Sequence, residues 1–202
     1  MEAIGLDAAV VEHLSLEERL SRAATSDVSC PDEGAAARMR AAIDEARAQG
    51  DSLGGLIVVV ALDAPIGLGS HVHWDRRLDG RIAQAMLGIQ AIKGVEIGPA
   101  FENARLPGTR VHDELYPGST NRAGGLEGGM TNGEPVVVRI AMKPIPTTIQ
   151  PLATVDLTTG EAVATQYQRS DVCAVPAAAV VAEAMLAWVL AEALVEAYGG
   201  DN

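Results

Sequence analysis

Residues 174–198 are almost wholly apolar, a stretch that must find either a bilayer or a protein interior. In length it would serve as a membrane span, since about 20 apolar residues in a helix suffice. Three acidic residues, Glu183, Glu192 and Glu196, interrupt it. A carboxylate near mid-membrane costs about 2.5–3.5 kcal/mol on insertion scales, and Ala-rich flanks do not offset that. The run is therefore read as a buried helix, opened by Pro176 at a first-turn position, in a protein with no membrane partner.

A buried helix needs a core around it. The 202 residues are 48% apolar, yet Phe, Trp and Tyr together number six, so that core is built from Ala, Val, Leu and Ile. A chain of this size forms one large domain or two small ones and buries about 70% of its unfolded surface. Acidic residues outnumber basic ones 27 to 15, a net charge of −12 that argues against a nucleic-acid partner. Ten of the fifteen basic residues fall between Arg76 and Arg169, and none follows. Such a distribution suits a small polyanion, or is ordinary surface charge. Cys30 and Cys173 show no metal-type spacing and no disulfide framework. The opening Met1-Glu2-Ala3-Ile4-Gly5-Leu6-Asp7 lacks the basic and apolar regions of a signal peptide. A cytoplasmic protein is expected.

Helical spacing runs through residues 1–29, with Ser15 and Glu18 placed as a capping box. Cys30-Pro31-Asp32 breaks it; Asp32 then caps a helix over residues 33–49, closed by Gly50. Residues 1–50 are thus a helical lead-in, and residues 51–202 the main domain. The β-branched run 56–62 predicts a buried strand. Residues 78–92 return to helical spacing, with Leu78, Ile82, Ala85, Met86 and Ile89 on one face. Residues 99–123 have no sustained period and are longer than an ordinary connection. A second strand is expected over 135–142, and a hairpin of 153–157 with 163–166 around Thr158-Thr159-Gly160. These elements do not repeat as βαβ units, so the fold class is α+β.

Four segments carry chemistry. Gly128-Gly129-Met130-Thr131-Asn132-Gly133 has glycines that let a backbone approach an anion, or that turn the chain into a strand. Lys143-Pro144-Ile145-Pro146-Thr147-Thr148 is stiffened by two prolines and offers a cation with hydroxyls, as a phosphate requires; it is equally read as an extended loop leaving a strand. Arg169-Ser170-Asp171 reads as an anion and proton-transfer site, or as a salt bridge with a helix cap. His71, His73 and Asp75 would share one face of an extended strand, but no further ligand supports a metal, and none is expected. Gly69-Ser70-His71 lacks a partner for nucleophilic catalysis.

Order and spacing join these segments. Asp51-Ser52-Leu53-Gly54-Gly55, Gly88-Ile89-Gln90-Ala91-Ile92-Lys93-Gly94, His112-Asp113-Glu114 and Ser119-Thr120-Asn121-Arg122-Ala123-Gly124-Gly125 precede the glycine, Lys-Pro-Ile and Arg-Ser-Asp segments, and Glu183-Ala184-Met185 follows. From residue 51 to residue 185 the chain resembles the C-terminal half of chorismate synthase. The resemblance implies a β-α-β sandwich, about half of the full fold, assembled as a homotetramer. It also implies a lyase that converts 5-enolpyruvylshikimate 3-phosphate to chorismate and phosphate by 1,4-anti elimination, using reduced FMN, with NADPH as a candidate reductant. It assigns the flavin to Gln90, Ala91, Gly128, Lys143, Pro144, Ile145, Pro146, Thr147 and Arg169, and a proton-handling role to Asp171. In such enzymes the cofactor supplies the electron chemistry and the protein supplies orientation and charge.

The departures are also specific. No Gly-Glu-Ser-His-Gly run is present; Gly69-Ser70-His71-Val72 lacks its acid and its final glycine. Thr131 stands where the family usually has serine, and the loop of residues 116–119 is short. Three functions are carried forward: half of a chorismate-forming lyase that acts only beside an N-terminal half, a noncatalytic flavin-phosphate-binding module, and a nonfunctional truncated product. Alone, the chain is expected to be inactive and to self-associate through an uncovered apolar face.

Overall fold

In the computed structural model the described residues are 1–11, 13–115 and 120–199. In chain order they form strands β1 (Ala3–Ile4) and β2 (Asp7–Ala8), helices α1 (Leu16–Thr25) and α2 (Glu33–Gln49), strand β3 (Gly55–Ala61), helix α3 (Leu78–Leu87), strand β4 (Ile92–Ile97) and a single-turn helix α4 (Ala100–Asn103). Strands β5 (Leu126–Glu127), β6 (Met130–Thr131), β7 (Val136–Met142), β8 (Ala153–Val155) and β9 (Ala162–Ala164) follow, and helix α5 (Val175–Tyr198) closes the chain. Residues 116–119, where the sequence suggests a short loop, lie outside the described set.

The chain divides into two compact units, each made of separated stretches. The first comprises Met1–Leu56 and Met142–Ala177. Its helices begin and end where their caps dictate. Ser15 Oγ accepts the Glu18 N–H while the Glu18 carboxylate accepts the Ser15 N–H, which is the expected capping box. Asp32 caps α2 through the Ala35 N–H, and Gly50 closes it in the left-handed conformation. The Asp32 carboxyl is held below the usual range, chiefly by the Ala35 N–H and then by the Val10 N–H. The first fifty residues also carry β1 and β2, which helical spacing did not anticipate. β1 pairs antiparallel with β2 and, through Ala3↔Leu56 and Ile4↔Gly55, with the start of β3. The β8–β9 hairpin forms as expected; its turn is held by the Asp156 carboxylate, which accepts the Thr158 and Thr159 N–H groups.

In the second unit, Ile57–Ala141 and Ala178–Asn202, β7 lies between β3 and β4. Alternate residues Ile57 and Val59 of β3 and Val136, Val138 and Ile140 of β7 are buried, together with Leu78, Ile82 and Met86 of α3. Two expectations need correction here. The helix expected over 78–92 stops at Leu87, and residues 92–97 form β4, because Ala91 takes a left-handed conformation (φ 66°) that no helix continues through. The terminal helix is not buried on all sides. Ala178, Ala182, Leu186, Val189 and Ala193 form one covered stripe, while Trp188 is 65% and Val181 47% exposed. By length and composition α5 could cross a membrane, and its exposed glutamates are partly neutralised: Arg81 pairs with Glu192 (3.3 Å) and Glu196 (2.7 Å).

Candidate functional site

Three stretches of the first unit that are far apart in sequence run side by side. After β7 the chain passes through Lys143-Pro144-Ile145-Pro146-Thr147, where the prolines remove two donors and Ile145, preceding a proline, is confined to extended backbone. Ser52 (7% exposed) donates its hydroxyl to the Ile145 carbonyl at 2.6 Å. Gly54 sits so close that any side chain there would collide with the Met142 carbonyl and come within 2.9 Å of Pro144 N. The Gly50 carbonyl accepts the N–H groups of Ile149 (2.9 Å) and Gln150 (3.2 Å). Residues 170–173 complete the group: Ser170 donates its hydroxyl to the Thr147 carbonyl (2.9 Å), Leu53 N–H donates to Val172 O (2.8 Å), and Leu53 bridges Cys173 in parallel. Burial pushes the Cys173 thiol up.

These contacts outline a cleft of about 240 Å³ lined by Arg47, Asp51, Thr147, Tyr167, Ser170 and Asp171, among others. Thr147 and Asp171, from two of the predicted site segments, thus face one space. Lys143 and Arg169 are exposed and make no ion pair with any described residue. Asp171 is exposed as well, and among the described residues it makes no ion pair with Arg169. Lys143 and Arg169 do not themselves line the cleft, whose basic member is Arg47; cations with no counterion among the described residues suit a ligand that carries a phosphate.

The second unit holds the other predicted positions. Gln90 follows α3, exposed, and lines a cleft of about 680 Å³ with Arg81, Gln84, Ile89, Met185 and Trp188. Ala91 is the left-handed residue that turns the chain into β4. Gly128 is at the open tip of the β5–β6 hairpin and is not in that cleft. Gly128 (φ 60°) and Gly129 (φ 86°) form a two-residue turn with both φ positive, the geometry that suits the twist of a hairpin. The Gly129 carbonyl accepts the Leu78 N–H (2.9 Å) at the start of α3, and a side chain at Gly129 would meet Arg77 Cγ at 2.7 Å. Turn geometry and close packing therefore account for these glycines within the unit. Thr131 is likewise structural: 3% exposed, it accepts the Leu68 N–H (2.8 Å) and donates to the Pro65 carbonyl (2.5 Å).

Four of the ten basic residues between Arg76 and Arg169 are engaged internally: Arg77 with Asp79, Arg81 with Glu192 and Glu196, Arg122 with Glu102, and Arg139 with Glu96. The last pair (2.6 Å) involves a carboxylate side chain only 8% exposed, which also accepts the Phe101 N–H. His71, His73 and Asp75 are exposed on an irregular segment ending in a turn of 3-10 helix, and no group of three or more metal-ligating side chains occurs among the described residues.

Asp113, in the His112-Asp113-Glu114 run, has a structural role that its residue type alone does not reveal. Its carboxylate accepts the Thr120 hydroxyl (2.5 Å) and the Arg122 and Ala123 N–H groups (both 2.8 Å). Burial pushes this carboxyl up, but those hydrogen bonds outweigh it and hold it below the usual range. The Asp113–Ala123 spacing was the available signal: an acid some seven to ten residues before a turn rich in N–H donors.

The family profile described as Chorismate synthase matches residues 2–195. Among curated relatives, a chorismate synthase of Desulforamulus reducens is 54% identical over 98% of this chain and 53% of its own length. One of Moorella thermoacetica is 59% identical over 91% of this chain and 50% of its own. The chain therefore spans about half the length of the curated relatives it matches. A crystal structure of chorismate synthase superposes with a TM-score of 0.79 at 44% identity, covering 99% of this chain and 57% of that one. The fold is accordingly α+β, the arrangement of about half of that protein, and the likeness includes the first fifty residues, which the motifs alone had matched only loosely.

Proposed function

The chain belongs to the chorismate synthase family, and from that premise we propose that its first unit supplies part of a site where 5-enolpyruvylshikimate 3-phosphate loses phosphate to give chorismate. The observation that carries this reading is the shared cleft of Thr147 and Asp171, lined by residues of the segments that hold two cations, Lys143 and Arg169, with no ion pair among the described residues. That donor set fits the phosphate of FMN and the anionic groups of the substrate. Reduced FMN, when bound, supplies the electron chemistry of the elimination, with NADPH as a candidate reductant. Lys143, Thr147 and Arg169 bind and orient; Pro144, Ile145 and Pro146 keep that surface rigid. Gln90, Ala91 and Gly128, which the resemblance also assigns to the flavin, belong to the second unit. Asp171 holds or releases a proton, which an exposed, unpartnered carboxylate can do without first breaking a bond. The proposal includes a cytoplasmic location, with which the free thiols of Cys30 and Cys173 agree, and assembly with further copies.

Because the chain covers about half of its relatives, we further propose that the pocket is completed by residues outside these 202, including a Gly-Glu-Ser-His-Gly segment. The test is an anaerobic assay with reduced FMN and 5-enolpyruvylshikimate 3-phosphate, following phosphate release by the chain alone and with a polypeptide bearing that segment. Release only in the combined sample is expected. No release in either sample overturns the lyase reading. Release by the chain alone overturns the second proposal and directs attention to His71, His73 and His112.

A further inference from the structure

We propose that Ser52 and Ser170 are positioning residues of the flavin-phosphate surface, holding the Lys143–Thr147 backbone in place from two sides. The inference rests on the functional reading above and adds two residues to it. A segment with prolines at 144 and 146 lacks two of the N–H groups that would tie it to a neighbour, so its register must be set through its carbonyls. Two of those carbonyls, at Ile145 and Thr147, each accept a serine hydroxyl, from Ser52 at 2.6 Å and Ser170 at 2.9 Å. The donors belong to different stretches. Ser52 lies in the residue 50–55 run, whose Gly54 packs on Met142–Pro144; Ser170 lies between Arg169 and Asp171.

The Ser170 bond therefore links the 143–147 segment directly to the carboxylate motif, and the Ser52 bond fixes it to the end of α2 and the start of β3. Ser52 is nearly buried and its hydroxyl has this single acceptor, so the bond is not competed away by water. Neither serine need touch a ligand: each acts by setting where Lys143 and Thr147 stand relative to Asp171.

Two measurements test this. Amide hydrogen exchange on the full chain should show faster exchange at Ile149 and Gln150, the amides just beyond this segment that donate to the Gly50 carbonyl, in Ser52→Ala and Ser170→Ala, with Ser52→Thr restoring protection and α2 unaffected. In the phosphate-releasing assembly described above, FMN affinity should fall about fivefold to tenfold in each alanine variant, the equivalent of one neutral hydrogen bond. A role confined to folding would instead lower the melting temperature and leave the FMN Kd of the folded fraction unchanged. Ser170→Ala, at a half-buried site, keeps the test informative if Ser52→Ala fails to fold. Wild-type exchange rates or wild-type FMN affinity in Ser170→Ala overturn the inference while leaving the lyase reading intact. A wild-type assembly that binds no FMN overturns both, and is told apart because it needs no variant.

Discussion

Replacing Thr131 by valine isolates one buried hydroxyl. The side chain is 3% exposed and of nearly the same shape as valine, so the change removes two hydrogen bonds with little change in volume. The two partners respond differently. Pro65 is exposed, so its carbonyl rehydrates; Leu68 is 1% exposed, and its N–H has the Thr131 hydroxyl as its acceptor. An orphaned buried amide costs about 1–3 kcal/mol. Thr131→Ser keeps the hydroxyl and loses one buried methyl, worth about 1 kcal/mol. With a urea m-value of roughly 2 kcal/mol per molar, Thr131→Val should lower the midpoint by about 0.5–1.5 M at unchanged m. Thr131→Ser should fall at or above the upper end of the variant midpoints. If the valine protein is as stable as wild type, the hydroxyl is not the staple described, and its place in the glycine segment needs another explanation.

Lys143→Ala and Arg169→Ala should each weaken FMN binding by about 1.5–3 kcal/mol, read by fluorescence quenching, with stability changed by less than about 0.5 kcal/mol because both side chains are exposed and unpaired; unchanged affinity in both would remove them from the site. Asp171→Asn should lower turnover in the combined assay and leave the melting temperature near wild type, since the carboxylate has no internal bond to lose; retained turnover would exclude it from proton transfer. Asp113 has a folded pKa below its unfolded value, so its contribution is present above about pH 4 and is lost as pH falls through the folded value. The stability gap between wild type and Asp113→Asn should therefore close on acidification from pH 5 to pH 2; a constant gap refutes the assignment. The uncovered stripe of α5 should drive self-association of the purified chain, seen by light scattering, and Val181→Lys with Trp188→Lys should reduce it.

Local rules left clear marks in the sequence. The caps at Ser15, Asp32 and Gly50, the strands containing Val58 and Val138, and the hairpin around Thr158 all depend on backbone preferences within a few residues, and all form as those preferences dictate. The family could likewise be named from the order of its motifs. Tertiary structure decided what depends on partners distant in the chain. Strand β4 was hidden because its apolar residues extend the helical period of α3, and only pairing beside β7 selects the extended form after Ala91. Thr131 acts as a staple only because the fold brings Leu68 and Pro65 beside it. α5 is apolar apart from three glutamates, which sequence alone translates into burial, whereas coverage depends on what packs there, and Val181 and Trp188 are exposed. Ser52, 93 residues from the carbonyl it binds, carried no local signal at all. A hydroxyl is a short-range donor, and only the fold brings its acceptor to within 2.6 Å.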